Sequence, residues 1–399
     1  MTEDTRSLGL LTQIVHGLLA CGQARTQDSL GDRKTYVGLS DVGRALTCLR
    51  AAVADKLGLA AHPKPDDLKQ WFKNGEATRI TETLSRQLIL QRGHWLEAGL
   101  EASLHANGSM VIPQLEIIDI RPDVPLKAHL DFTMIRDGRQ PAVRVVELKS
   151  TGHLPDTLHP GYEAQLYGQI GLLSALWDQP AFRISKMKPQ SFPNLCRQLF
   201  GVELPLSSQD IDIEGWVLCL SMSEAKTFGP YRPNATMLNL CRRTAASLWN
   251  TAQAVASGQA ELNDSPYCQG FHPLCDWCDH ARDCPKFRAE TVNDPILNEQ
   301  LAQLAELKSD RTRIESEIQI REDQIRQFYS RVGNPTAWLS TGHFRFKTCP
   351  IAGRKTIDSA RLRATLTNRL GEVEAENLLA EVTTTGDGYE RLTISPIKP

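Results

Sequence analysis

Apolar residues recur at helical intervals along the first quarter of the chain. Leu8, Leu11, Val15, Leu18 and Leu19 fit one face of an amphipathic helix over 7–22, followed by a polar linker through Arg33. From Tyr36 to Arg50, Ser40 suits an N-cap, and Val42, Leu46 and Leu49 are spaced for a helix that carries Cys48. Residues 60–75 are rich in Pro, Lys and Asp and read as a loop. A further helix is predicted from Thr83 to His105, stopped by Asn107-Gly108. Leu96, Leu100 and Leu104 form one stripe on it, and His94, Glu97, Glu101 and His105 form another.

After that helix the period changes to two. Residues 110–120 read as a strand, and two β-rich runs, Lys127 to Ile135 and Val143 to Lys149, flank a turn at Asp137-Gly138. That pattern predicts a hairpin. Counted back from the turn, Asp131 falls roughly opposite Glu147. Alternation puts Glu147 and Lys149 on one face and Val146 and Leu148 on the other. A helical run with Gln165, Tyr167 and Gln169 follows, then a basic insertion over 181–215, a strand from Gly215 to Met222 and a helix over 234–257. From Pro295 to Arg331, the spacing of Leu297, Leu301, Leu304, Ile314, Ile318 and Ile325 predicts a long helix or short coiled coil. Phe344 to Lys347, Leu362 to Leu370 and Arg391 to Ile394 suggest a small α+β tail.

A length of 399 residues implies two or three domains. The patterns divide the chain into an N-terminal helix and linker (1–34), a main domain (35–292), a long helix (293–333) and the tail (334–399). With 41 % hydrophobic and 23 % charged residues and a net charge of −2, nothing draws the whole molecule to nucleic acid, so any such contact needs a local basic groove. Leu18-Leu19-Ala20-Cys21 imitates a lipoprotein cleavage box, but Glu3, Asp4, Gln13 and His16 spoil a signal peptide. No run approaches the length of a membrane span, so the expectation is a cytoplasmic protein.

Two constellations carry chemistry. Asp131, Glu147 and Lys149 converge on strands otherwise full of Val, Ile, Leu and Phe. Buried charge is costly unless paired or metal-bound, so the set is either a divalent-cation site or a structural Lys–Glu pair. Of ten cysteines, Cys21, Cys48, Cys196, Cys219, Cys241 and Cys349 are scattered, whereas Cys268, Cys275, Cys278 and Cys284 fall within seventeen residues. Such clustering reads as metal ligation in a reducing compartment. The local four suit zinc; the rival is an iron–sulfur cluster in which a distant cysteine replaces Cys268.

Together these motifs resemble a RecB-type nuclease of the PD-(D/E)XK superfamily, within the iron–sulfur subgroup of CRISPR-associated and AddB-like exonucleases. The resemblance covers roughly residues 36–288. Ser40 to Arg50 is similar to the opening helix, Asp131 to the central acidic residue, Glu147-Leu148-Lys149 to the E-x-K element, and Cys275, Cys278 and Cys284 to the trailing triplet. The resemblance implies a restriction-endonuclease-like α/β fold, a mixed sheet flanked by helices, with the long helix and α+β tail appended. Catalytic residues would be Asp131, Glu147, Lys149, Glu97, Gln165 and Tyr167. Glu97 stands four residues after Gly93, where many members have histidine, with His94 and Glu101 in reserve. Mg²⁺ or Mn²⁺ would bind Glu97, Asp131, Glu147 and the Leu148 carbonyl, and a [4Fe–4S] cluster would take Cys48, Cys275, Cys278 and Cys284, with structural Zn²⁺ as the alternative. The implied activity is exonucleolytic digestion of DNA with a free end. The tail is similar to that of phage YqaJ-like exonucleases, which implies phage or prophage recombination beside a single-strand annealing protein. Prespacer trimming in CRISPR adaptation and a non-catalytic, cluster-stapled DNA-binding subunit are the alternatives.

Overall fold

The computed structural model describes residues 3–60, 63–119, 124–269, 275, 278–287, 292–332, 338–348 and 359–382. The chain divides into two compact units, Met1–Arg288 and Ala289–Pro399. In chain order, the first contains α1 (Glu3–Leu30), β1 (Val37–Gly38), α2 (Leu39–Thr47), α3 (Leu49–Leu57), α4 (Pro65–Asn74) and α5 (Ala77–Ala106). β2 (Met110–Asp119), β3 (Leu126–Arg136), β4 (Ala142–Ser150) and α6 (Pro160–Ala175) come next. It closes with β5 (Phe182–Arg183), α7 (Phe192–Phe200), β6 (Asp212–Leu220), β7 (Ala225–Tyr231) and α8 (Ala235–Ala256). Its seven strands form one mixed sheet in the order β5-β2-β3-β4-β6-β7, with β1 beside the start of β3. Helices flank this sheet, as expected of a mixed α/β fold.

The predicted hairpin is β3–β4, and its register pairs Phe132 with Val146, which makes Asp131 and Glu147 the next step along the ladder. β4 pairs antiparallel with β3 and parallel with β6, so it is a central strand. Its apolar face, with Val143 and Val145, joins a core that includes Leu166, Ile170 and Leu173 of α6 and Leu238, Ala245 and Leu248 of α8.

α2 crosses α6 at two glycines. A Cβ at Gly43 would overlap the Gly161 carbonyl, and one at Gly161 would sit 2.7 Å from the Gly43 oxygen. Backbone cannot yield as a side chain does, so Gly43→Ala is expected to cost about 3 kcal/mol. The midpoint of urea unfolding checks this. Gly17→Ala, with nothing within 4 Å of the added carbon, serves as a control that should not destabilise.

Several expectations change. The helix over 7–22 runs on to Leu30, because no breaker intervenes before Gly31 at φ +64°. The loop over 60–75 contains α4: Pro65 opens it, Asp67 accepts from the Lys64 N–H at 2.7 Å, and Gly75 ends it in the left-handed conformation. Its Leu68 is buried with Val15 and Ile80. The helix expected to carry Cys48 is two helices, broken at Cys48, whose backbone is extended at φ −154° and ψ 97°. The helix begins after Gly38, whose N–H donates to Asp41 at 3.0 Å, so Ser40 is not its N-cap. The stop at Asn107-Gly108 is met, with Gly108 at φ +71° and the Ser109 N–H donating to the Leu104 carbonyl at 3.1 Å. The basic insertion is partly structured as β5 and α7, and Arg183 donates to the buried Glu116.

The second unit holds α9 (Pro295–Val332), β8 (Leu339–Ser340), β9 (Arg345–Phe346), α10 (Ser359–Leu370) and α11 (Glu372–Val382). α9, the predicted long helix, has 38 residues and is about 57 Å long. Near its end the buried Tyr329 meets Phe346 at 6.2 Å. The strand expected at Arg391 to Ile394 lies outside the described residues, as does Cys349. Among the described residues no helix is long and apolar enough to cross a membrane.

Candidate active site

Glu147 is the anchor of the site and is 3 % exposed. Its Oε1 accepts from Lys149 Nζ and from Gln165 Nε2, each at 2.7 Å, and its Oε2 accepts from Gln169 Nε2 at 2.6 Å. Glu147 and Lys149 thus share a face, as the alternation predicts. Gln165 and Gln169 are one turn apart on α6, the spacing that puts two side chains on one stripe. Lys149 also donates to Gln165 Oε1 at 3.1 Å and lies over the Tyr162 ring, 4.5 Å from its centroid. Burial by itself would lower the lysine's pKa. The charge and hydrogen bond of Glu147, with Asp131 and Tyr162 behind them, hold it above the usual value, so Lys149 keeps its proton.

Asp131 Oδ2 accepts from the Leu148 N–H at 2.8 Å, which fixes the acid to the neighbouring strand. Burial first, then the charge of Glu147, pushes its pKa well above the ordinary carboxylate range. Lys149 and the Leu148 N–H pull the other way, and Glu97 adds to the rise. Three carboxyl groups, Asp131, Glu147 and Glu97, thus act on one another here beside a single lysine, Lys149. Glu97 reaches this group from α5 through Gln114, whose Nε2 donates to Glu97 Oε1 and lies 3.5 Å from Asp131 Oδ1. His94 Nδ1 stands 3.6 Å from Glu97 Oε2, on the rim. Glu101 is turned to His105, at 3.8 Å.

Tyr167 is not brought into the cluster; its ring meets Tyr231 edge-on at 5.3 Å. Tyr162, Gln169 and Gln114 are the site residues missing from the expected set. The first two follow from helix phase, being three residues before and four after Gln165. Gln114 gave no signal beyond a polar residue inside an apolar strand.

Among the described residues, no three His, Cys, Asp or Glu side chains stand together as a ready metal shell. The donor set still suits a hard divalent cation. Three carboxylates and the Leu148 carbonyl are all oxygen donors, and three acids beside one lysine favour a positive charge among them. In this arrangement Lys149 and the Gln114 amide are the groups that answer those acids.

The cysteines lie elsewhere in this unit. Cys48, Cys268, Cys275 and Cys278 line one small cavity. The sulfurs of Cys268 and Cys275 are 3.3 Å apart, and Lys286 Nζ lies 3.6 and 3.4 Å from them. Three of the four expected ligands therefore border one cavity, although among the described residues no three of them stand close enough to hold a metal ion. The fourth, Cys284, is buried off the cavity wall, and Cys268, expected to be extra, is on it. Soft thiolates around one apolar cavity suit iron–sulfur or zinc. Arg50, 3 % exposed, already ties α3 to this region. It donates to Asn263 Oδ1 at 3.1 and 3.0 Å and to the carbonyls of His280 and Asp283 at 3.2 and 3.0 Å.

No family model matches the chain, and no curated protein matches it. Among solved structures, it is similar to the protein SSO0001, at 16 % identity and a TM-score of 0.32, over 64 % of this chain and 88 % of that one. It is also similar to a protein from Eubacterium rectale named as a candidate exonuclease, at 12 % identity and a TM-score of 0.30, over 69 % of this chain and 96 % of that one.

Proposed function

We propose that this protein is a metal-dependent deoxyribonuclease that hydrolyses phosphodiester bonds at the β3–β4 hairpin. The observation that carries this reading is one buried carboxylate, Glu147, shared by Lys149, Gln165 and Gln169 beside a second acid, Asp131, that is tied to the same strand by the Leu148 N–H. A structural Lys–Glu pair needs neither the second acid nor the two glutamines.

Asp131, Glu147, Glu97 and the Leu148 carbonyl would hold Mg²⁺ or Mn²⁺, which supplies a bound water of lowered pKa and offsets phosphate charge. Gln165 and Gln169 fix the rotamer of Glu147, so the donors are set before substrate arrives. Lys149, held protonated, donates to the negative charge that develops as water adds to phosphorus. It is a poor base in this state. The phosphorus–oxygen bond to the leaving nucleotide then breaks; the attacking water gives its proton to solvent, the leaving oxygen takes one from solvent, and phosphate and hydroxyl ends separate. By resemblance the substrate is DNA with a free end, in phage-type recombination or repair. By resemblance Cys48, Cys275, Cys278 and Cys284 would hold a [4Fe–4S] cluster, whereas the cavity wall offers Cys268 in place of Cys284.

Single- and double-stranded DNA, labelled at either end, tests the reading. Labelled fragments are expected with Mg²⁺ or Mn²⁺ and none with EDTA. Intact DNA of every form in both ions overturns the assignment.

A further inference from the structure

We infer that Gln114 is a ligand for the divalent cation, one that turns its amide oxygen inward when the cation binds between Glu97 and Asp131. This rests on the nuclease reading and adds a ligand outside the E-x-K hairpin.

Gln114 lies across from Asp131, between the ladder pairs Pro113–Phe132 and Leu115–Leu130. Its φ is +49°, in the left-handed region, inside a strand. Glycine, asparagine and aspartate adopt that conformation most readily; glutamine does so at a cost. Its Nε2 is within reach of both Glu97 Oε1 and Asp131 Oδ1, so one side chain spans two acids that reach the site from different elements.

A primary amide presents two N–H donors on one side and a carbonyl oxygen on the other. Here its N–H side faces the carboxylates and donates. A half-turn about its last bond replaces Nε2 by Oε1, a hard oxygen donor of the kind Mg²⁺ and Mn²⁺ accept. A second buried amide points to the same ion. Gln169 is 0 % exposed, its Nε2 holds Glu147, and its Oε1 accepts from no described group. A water on a cation held by Glu147 would give that oxygen its donor.

Mn²⁺ binding to the full-length protein, followed by electron paramagnetic resonance without DNA, tests this. The site is the fraction of binding lost in Asp131→Asn. Gln114→Ala is expected to bind Mn²⁺ about tenfold more weakly at that site, and Gln114→Glu at least as tightly as wild type. Unchanged or tighter binding in Gln114→Ala would show that the amide only competes with the ion, which overturns the inference. Should Gln114→Ala fail to fold, weaker binding by Gln114→Glu overturns it as well. Either result leaves the nuclease reading standing if wild type cleaves DNA with Mn²⁺. A wild type that neither binds Mn²⁺ nor cuts removes both.

Discussion

Glu147→Gln and Lys149→Ala are each expected to lower metal-dependent DNA cleavage by about 10³-fold, since each removes a charge from the reacting centre. Their effects on stability should differ from that of Glu147→Ala. Lys149→Ala leaves Glu147 with two glutamine donors, and Glu147→Gln keeps the shape and most of the hydrogen bonds. Glu147→Ala removes the carboxylate shared by Lys149 and both glutamines, leaving Lys149 with Gln165 Oε1 and Gln169 with the His129 carbonyl. Breaking a largely buried charged pair in this way costs about 3 kcal/mol. Melting curves beside initial rates separate the two effects. A Glu147→Gln protein that cleaves at the wild-type rate would mean the carboxylate is structural.

The second large effect concerns the thiolates. Anaerobically purified protein is expected to be brown, absorbing broadly near about 400 nm, and to lose both colour and iron in Cys48→Ser and in Cys278→Ser. Cys284→Ser should bleach it equally, and Cys268→Ser should leave it coloured. The cavity gives the opposite outcome a clear form. If Cys268→Ser loses the metal and Cys284→Ser keeps it, the ligands are the four cysteines that line the cavity. Stoichiometric zinc in colourless protein would replace the cluster with a structural zinc site. In every case the apoprotein should unfold at lower denaturant yet remain folded without it, because Arg50 and the His280–Asp55 contact at 2.8 Å hold the same segments together.

Much of this was legible in the chain because strand periodicity is strict. A period of two sets which residues share a face, so Lys149 falls on the face of Glu147, while the register that sets Asp131 beside Glu147 comes from the five-residue loop over 137–141, longer than the Asp137-Gly138 turn alone. Helix phase held the answer for α6 as well, although the expected set took Tyr167 in place of Gln169. A step of four from Gln165 returns to the same stripe at Gln169, whereas a step of two turns Tyr167 to the far side, where Tyr231 meets it. Other features depend on contacts between distant segments. Nothing near Gly43 announces Gly161, and nothing near Gln114 announces its φ. α4 was hidden by charge-rich composition, although Pro65, Asp66, Asp67 and Gly75 mark its two ends. The break at Cys48 follows no breaker residue and places that cysteine on the cavity it shares with Cys275 and Cys278.

The central claim is that the hairpin acids cleave DNA through a divalent ion. Its most direct test is release of label from DNA by wild type and by Asp131→Asn, purified side by side and assayed in Mn²⁺ and in EDTA. The expected result is digestion by wild type in Mn²⁺ alone, with Asp131→Asn as inactive in Mn²⁺ as wild type is in EDTA. Equal digestion by the two proteins, or intact DNA with both, would contradict it.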